Sequence, residues 1–168
     1  AVECTVGGVK VVDAVIDGSD ATYTVRENEN GAVHFMVHYS DEAGNYGAPK
    51  LIESGVTIDA TAPTLDVVTL ESDNTYDTKK AGIDNELTLR MTATEPIVLP
   101  TVVFTAGESK LTPVTGTGGP TEWTATYTVK AGDPDGPVGY TVTFEDTAGN
   151  PGVEGPTVTD VTIDTDPP

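Results

Sequence analysis

The chain has 168 residues, and its 27 acidic side chains outnumber the 8 basic ones, giving a formal net charge of −19. This charge repels the phosphates of nucleic acids and anionic lipids, so the composition argues against binding either one. It favours a hard cation such as Ca²⁺, whose preferred ligands are oxygens. The single cysteine excludes an internal disulfide framework, and no apolar stretch is long enough to predict membrane insertion. We therefore expect an acidic, extracellular, β-rich protein.

Apolar and polar residues alternate with a period of two along most of the chain, which predicts β-strands. In the first sixty residues, strands are predicted at 2–5, 9–15, 21–25, 33–40 and 52–58. In the remainder they are predicted at 65–70, 86–94, 102–105, 109–114, 123–129, 138–145 and 157–164. Clusters of Gly, Pro, Asp and Asn separate these runs, and helical periodicity is absent. The pattern predicts an all-β sandwich or barrel.

Three short sequences occur twice, at a spacing of about 105 residues. The pairs are residues 21–25 and 125–129 (ATYTV), 41–45 and 146–150 (Asp-x-Ala-Gly-Asn), and 56–59 and 161–164 (VTID). Self-similarity at a fixed period indicates a repeat architecture. A unit of this length with seven strands is typical of an immunoglobulin-like β-sandwich. The sequence therefore predicts tandem immunoglobulin-like repeats.

The two copies of this repeat are not equally complete. Residues 61–168 contain all seven strands, A to G, and end in a linker that predicts a further repeat. Residues 1–60 match only strands C to G, and nothing in them corresponds to strands A and B. Two explanations are open: the missing residues lie outside this sequence, or another chain donates them by strand complementation. Cys4 aligns with Phe104 and is expected to be a buried, inert thiol.

The repeated loops, together with residues 57–63 (TIDATAP), 95–97 (EPI) and 123–129 (WTATYTV), resemble bacterial-type Ig-like tandem repeats. Such repeats occur in large extracellular adhesins and surface fibre proteins. The resemblance implies a spacer or fibre-forming module at the cell surface, often rigidified by calcium at its domain junctions. Its partners would be neighbouring repeats, other copies in a filament, or surface glycans. Tyr46 departs from the family pattern, which has proline there.

A metal site is also expected from the strand order. In a seven-strand sandwich the B–C loop, the F–G loop and the start of strand A share one pole. That pole would gather oxygen ligands suited to Ca²⁺ from Asp59, Thr61, Glu95, Asp146 and Asn150. The loop at residues 26–31 of the first repeat could add Glu27 or Glu29 to this metal site. Equivalent sites one domain earlier and one domain later would use Asp41 and Asn45, and Asp164 and Asp166.

Each of these features has a simpler alternative. Asp-x-Ala-Gly-Asn also forms a good tight turn without any ion, and Glu95 fits a solvated loop carboxylate. Trp123 is expected to pack in the core. An exposed aromatic face would instead favour a glycan- or ice-binding module, as an alternative to a spacer or a filament subunit. No nucleophile–histidine–carboxylate set or phosphate loop is recognisable, so no enzyme activity is expected.

Overall fold

The computed structural model describes residues 2–11, 15–17, 20–112 and 114–167. The chain divides into two compact units, Ala1–Thr61 and Ala62–Pro168. Every regular element of the described residues is a β-strand, which confirms the predicted all-β class. No helix that could cross a membrane occurs in this part of the chain.

The first unit contains one four-stranded antiparallel sheet and a separate two-stranded ribbon. Its strands are β1 (Val2–Val6), β2 (Val9–Val11), β3 (Val15–Asp17), β4 (Asp20–Thr22), β5 (Asn30–Val37) and β6 (Lys50–Asp59). The sheet order is β2-β1-β5-β6, and β3 pairs with β4. This sheet has a small buried core of Cys4, Val6, Val33 and Ile58. Cys4 is buried as expected.

The second unit contains two sheets. Its strands are β7 (Leu65–Ser72), β8 (Lys80–Ala81), β9 (Glu86–Ala93), β10 (Thr101–Ala106), β11 (Ser109–Leu111), β12 (Thr115–Gly118), β13 (Glu122–Thr128), β14 (Gly136–Glu145) and β15 (Pro151–Ile163). One sheet has the order β12-β13-β9-β7, and the other has β11-β10-β14-β15-β8. Neighbouring strands are antiparallel except β15 and β8, which run parallel.

The two sheets of the second unit enclose one hydrophobic core. On β9 the side chains of Leu87, Leu89 and Met91 are buried, whereas Arg90 on the opposite face is exposed. These apolar residues belong to the same cluster as Phe104 and other buried residues of the facing sheet. The alternation predicted for this strand is thus confirmed, and the second unit is a β-sandwich.

Several predicted strands differ from the structure. The run 109–114 was expected to be one strand, but β11 ends at Leu111 and pairs with β10, while β12 begins at Thr115. A tight turn at Gly107, whose φ is 58°, folds β11 back onto β10. The strand predicted at 21–25 ends at Thr22. Of the strand predicted at 9–15, residues 9–11 form β2, residue 15 begins β3, and residues 12–14 lie outside the described residues.

Candidate metal centre

The two Asp-x-Ala-Gly-Asn loops form the same hydrogen-bonded turn. In both, the asparagine donates to the aspartate carboxylate twice. The backbone N–H bonds measure 2.8 Å for Asn45–Asp41 and 2.9 Å for Asn150–Asp146, and the side-chain amide bonds 2.8 and 2.7 Å. The preceding glycines have φ of 84° and 91°, where side chains are disfavoured. The turn interpretation of this motif is therefore confirmed, and any metal role would be additional.

The two aspartates differ in burial. Asp41 is exposed, whereas Asp146 is only 2 % exposed. Burial acts to raise the pKa of Asp146, but hydrogen bonds from the Asn150 side chain and from the Asn150, Ala148 and Gly149 amides hold this pKa below its usual value. The second unit therefore keeps an ionised carboxylate in a buried position.

Glu95 is held close to this buried carboxylate by backbone contacts within the second unit. Thr64 and Thr94 tie the start of β7 to the end of β9, because the Thr94 N–H donates to the Thr64 carbonyl at 2.9 Å. Two residues after Glu95, Ile97 forms an isolated β-bridge with Asp146. The loop carrying Glu95 therefore runs alongside the turn carrying Asp146.

Glu95 and Asp146 form a pair of carboxylates within the second unit. Their oxygens lie within 4.8 Å of each other. The Glu95 side chain is half-buried and that of Asp146 is buried. Asp59, the last residue of β6, is exposed and belongs to the first unit, so its part in a metal site stays a prediction.

The other residues expected to bind metal have different surroundings. The Thr61 hydroxyl accepts a hydrogen bond of 2.6 Å from the Asn30 side chain. The backbone N–H of Thr61 donates to Asp59 Oδ1 at 3.2 Å. The Asn150 amide is turned toward Asp146, as described above. Asp41, Asp164 and Asp166 are exposed, and in the described part of the chain none of them joins a group of three potential ligands.

The segments that leave each unit are fixed by residues that the sequence reasoning missed. The side-chain oxygen of Asn30 accepts from the Ala60 N–H at 3.0 Å. At the aligned position, Asp135 Oδ1 accepts from the Thr165 N–H at 2.7 Å. The alignment of residues 28–31 (NENG) with 133–136 (DPDG) is the signal that could have indicated this pair.

The loop at 26–31, expected to add Glu27 or Glu29 to a metal site, is closed by its own contacts. The Glu29 carboxylate accepts from the Tyr23 hydroxyl and from the Arg26 N–H. These two bonds hold the pKa of Glu29 below its usual range. Glu27 is exposed. In the described part of the chain neither glutamate joins a group of three potential ligands, so Glu29 is better described as a loop brace.

The second unit has an equivalent loop brace, which joins Tyr127 to Asp133, and a substitution of the tyrosine tests its contribution to stability. The buried Tyr127 hydroxyl donates to Asp133 Oδ2 at 2.7 Å, and the Lys130 N–H donates to the same oxygen at 2.7 Å. Tyr127→Phe removes one bond to a charged acceptor, so we expect the free energy of unfolding to fall by about 1.5–3 kcal/mol. Urea denaturation at pH 7 measures this loss. Tyr76→Phe, at an exposed tyrosine, is the control.

The same pair predicts a dependence on alkaline pH. Burial, and then the hydrogen bond to Asp133, raise the pKa of Tyr127 to about 12, from its ordinary value of about 10. A raised pKa in the folded state stabilises the fold below pH 10 and stops doing so as pH rises from 10 to 12. The stability difference between wild type and Tyr127→Phe should therefore shrink over this interval. A constant difference would contradict the role given to the hydroxyl.

Trp123 is a packing residue rather than part of an exposed aromatic surface. Its side chain is buried in the core of the second unit, and its indole N–H donates to the Pro120 carbonyl at 3.3 Å. Gly118 lies directly against it, since a Cβ there would stand 2.7 Å from the Trp123 Cα. The tryptophan is therefore not available for stacking on a glycan.

Comparison with protein-family models, with curated proteins and with solved structures gives no match.

Proposed function

We propose that this chain is a structural spacer of a long extracellular or cell-surface fibrous protein, built from immunoglobulin-like repeats and stiffened by Ca²⁺ between repeats. The observation that carries the proposal is the pair of carboxylates Glu95 and Asp146 in the second unit, whose oxygens lie within 4.8 Å of each other. Fold, repetition and ligand chemistry each support part of it.

The strand orders of the second unit support the immunoglobulin-like assignment. Constant-type immunoglobulin sandwiches have sheets of strands A-B-E-D and C-F-G. The order β7-β9-β13-β12 corresponds to the first set, and β10-β14-β15 to the second, with β11 and β8 added at the edges. The turns at Asp41 and Asp146, and the braces at Tyr23 and Tyr127, support two related units.

The chemistry of the donor set fits calcium. Ca²⁺ takes six to eight oxygens, from carboxylates, carbonyls and water, in flexible geometry. Asp146 supplies a carboxylate kept ionised by its turn; Oδ2 accepts the Asn150 amide at 2.7 Å, and a carboxylate oxygen has two lone pairs. Asp59 and Glu95 supply two further carboxylates, and water and backbone carbonyls would complete the shell. When bound, the ion would offset the mutual repulsion of three negative charges.

The mechanical consequence follows from where these ligands lie in the chain. Asp59 ends β6 of the first unit, whereas Glu95 and Asp146 belong to loops of the second. An ion held by all three would restrict rotation about residues 60–62. A chain of such units would then behave as a stiff rod in calcium and as a flexible one without it.

Calcium titration of the whole chain tests the binding step. After removal of metal with a chelator, isothermal calorimetry should show a site with a dissociation constant of about 0.1–1 mM, the range of extracellular modules. Glu95→Gln removes one charge from the group and should weaken binding about tenfold or more. Glu108→Gln, at an exposed turn residue, is the matched control. Equal affinity of both variants would contradict the assignment of the site.

Small-angle scattering of the same protein tests the mechanical step. With calcium, the distribution of interatomic distances should be narrower than with chelator, and Glu95→Gln should abolish the difference. If calcium binds at Glu95 but the scattering is unchanged, the site exists without stiffening the junction.

A further inference from the structure

The side chain of Asn30 fastens the segment that follows β6 in the first unit. Its oxygen accepts a hydrogen bond from the Ala60 N–H at 3.0 Å, and its nitrogen donates to the Thr61 hydroxyl at 2.6 Å. We call these two bonds the Asn30 tether. The asparagine is exposed, and the residue after it is Gly31, which makes the one Asn–Gly pair of the sequence. An asparagine amide is most reactive in this pair, because glycine has no side chain to shield its backbone nitrogen.

The fold requires the glycine of this pair. Gly31 has a φ of 122°, in the region that residues with a side chain rarely adopt. A Cβ at this position would also stand 2.6 Å from the Gly7 Cα, in the turn between β1 and β2. A larger residue would therefore collide with backbone. The local packing keeps glycine at position 31, and so it keeps the reactive pair for as long as residue 30 is asparagine.

The second unit shows that an aspartate fits at the same place. Asp135, which aligns with Asn30, also precedes a glycine of positive φ, Gly136 at 130°. Its Oδ1 accepts from the Thr165 N–H at 2.7 Å and from the Thr165 hydroxyl at 2.9 Å. The backbone bond is thus the one that Asn30 accepts from Ala60. A hydroxyl both donates and accepts, so the Thr61 hydroxyl could change from acceptor to donor if residue 30 became an aspartate.

We propose that Asn30 is a site of spontaneous deamidation, and that its aspartate product keeps the tether in the form that Asp135 has in the second unit. The Gly31 backbone nitrogen attacks the Asn30 Cγ: an N–Cγ bond forms, the Cγ–Nδ2 bond breaks, and ammonia leaves with the proton of the Gly31 N–H. Water then opens the cyclic imide. Cleavage of the new N–Cγ bond gives aspartate, whereas cleavage on the other side of the ring nitrogen gives isoaspartate, with an extra carbon in the backbone.

The Asn30 tether controls how fast this reaction proceeds. The side chain must leave Ala60 and Thr61 before its Cγ can meet the Gly31 nitrogen, so the reaction starts from a locally open state of this end of the sheet. The two products then differ in effect. Aspartate can again accept from the Ala60 N–H, whereas isoaspartate lengthens the backbone where Asn30 lies opposite Asp59. The reaction needs no metal ion, so this inference is independent of the calcium site.

Peptide mapping by mass spectrometry measures the reaction in the whole chain. The protein is incubated with chelator at mildly alkaline pH, and the conversion of each asparagine is followed with time. Asn30 should react at least about tenfold faster than Asn28, which precedes a glutamate in the same loop. Thr61→Ala removes one bond of the tether and should accelerate the reaction about two- to tenfold. Thr165→Ala, the control, removes the hydroxyl contact of the second unit and should leave the rate at Asn30 unchanged.

Two variants test whether the fold accepts the aspartate product. Asn30→Asp should leave the hydrogen-exchange protection of β5 and β6 as it is in the wild type, because a carboxylate accepts from the Ala60 N–H as the amide oxygen does. Asn30→Leu has a similar size but accepts no hydrogen bond. It should lower the protection of the end of β6 about two- to tenfold.

Two results would overturn the inference. The first is an Asn30 that reacts no faster than Asn28, both in the wild type and in Thr61→Ala, because the amide would then be unreactive even with its tether weakened. The second is a protection of β6 in Asn30→Asp that is as low as in Asn30→Leu, because the fold would then not accept an aspartate at this position.

Discussion

Phe104→Ala is expected to lower the free energy of unfolding of the second unit by about 3–5 kcal/mol. The Phe104 side chain is completely buried, and its direct cross-strand neighbours are Leu111 and Tyr140. It lies on β10, in the middle of one of the two sheets that share the core. Truncation would leave a cavity between strands that hydrogen-bonding holds in register, so the surroundings can relax only partly.

The aligned position of the first unit provides the matched comparison. Cys4 occupies the place of Phe104, but its buried cluster is far smaller. Cys4→Ala should therefore cost only about 1 kcal/mol, close to the transfer free energy of one buried group. Chemical denaturation followed by Trp123 fluorescence reports the second unit, because the chain has a single tryptophan, and far-ultraviolet circular dichroism, to which the strands of both units contribute, reports the first unit as well. An unchanged denaturation midpoint for Phe104→Ala, or a larger loss of stability for Cys4→Ala, would contradict the difference in size between the two buried clusters.

The strands could be predicted wherever one face of the strand is buried and the other is exposed to solvent. On β9 this alternation extends over eight residues, so the period of two is unambiguous. β8 could not be predicted, because two residues carry no period and its pairing with β15 joins segments far apart in sequence. The error at 109–114 has the same origin: the turn at Gly107 decides which sheet β11 joins, and side-chain alternation does not.

The candidate site could be predicted in part, for a related reason. The fold dictates that the loops carrying Glu95 and Asp146 share a pole, so their proximity follows from strand order alone. The structure places oxygens of both within 4.8 Å, whereas the contribution of Asp59 and the presence of an ion there stay predictions. The hydrogen bonds that Asn30 and Asp135 accept were missed because each joins residues thirty positions apart in the sequence.

The Asp-x-Ala-Gly-Asn turn is expected to be essential to the second unit even without metal. Asp146 accepts hydrogen bonds from the Ala148 N–H at 2.8 Å, the Asn150 N–H at 2.9 Å and the Asn150 side chain at 2.7 Å. Asp146→Ala removes the acceptor and leaves these donors beside a buried site. We expect a loss of about 2–4 kcal/mol in chelator, since bonds to charged groups are worth more than neutral ones. Asp41→Ala, in the exposed copy of the turn, should cost less.

The dependence of the stability of the same variant on acidic pH separates the contribution of the turn from that of a bound ion. Because the pKa of Asp146 in the fold is held below its ordinary value, the stabilisation that its carboxylate contributes is complete above that ordinary value and is lost as pH falls through the lower, folded pKa. The difference between wild type and Asp146→Ala should therefore narrow only below about pH 4. In chelator this narrowing reports the turn alone.

At neutral pH, added calcium at a hundred times its dissociation constant should stabilise the wild type by about a further 2.7 kcal/mol. The same addition should do little for Asp146→Ala, and if both proteins gain equally, calcium binds elsewhere.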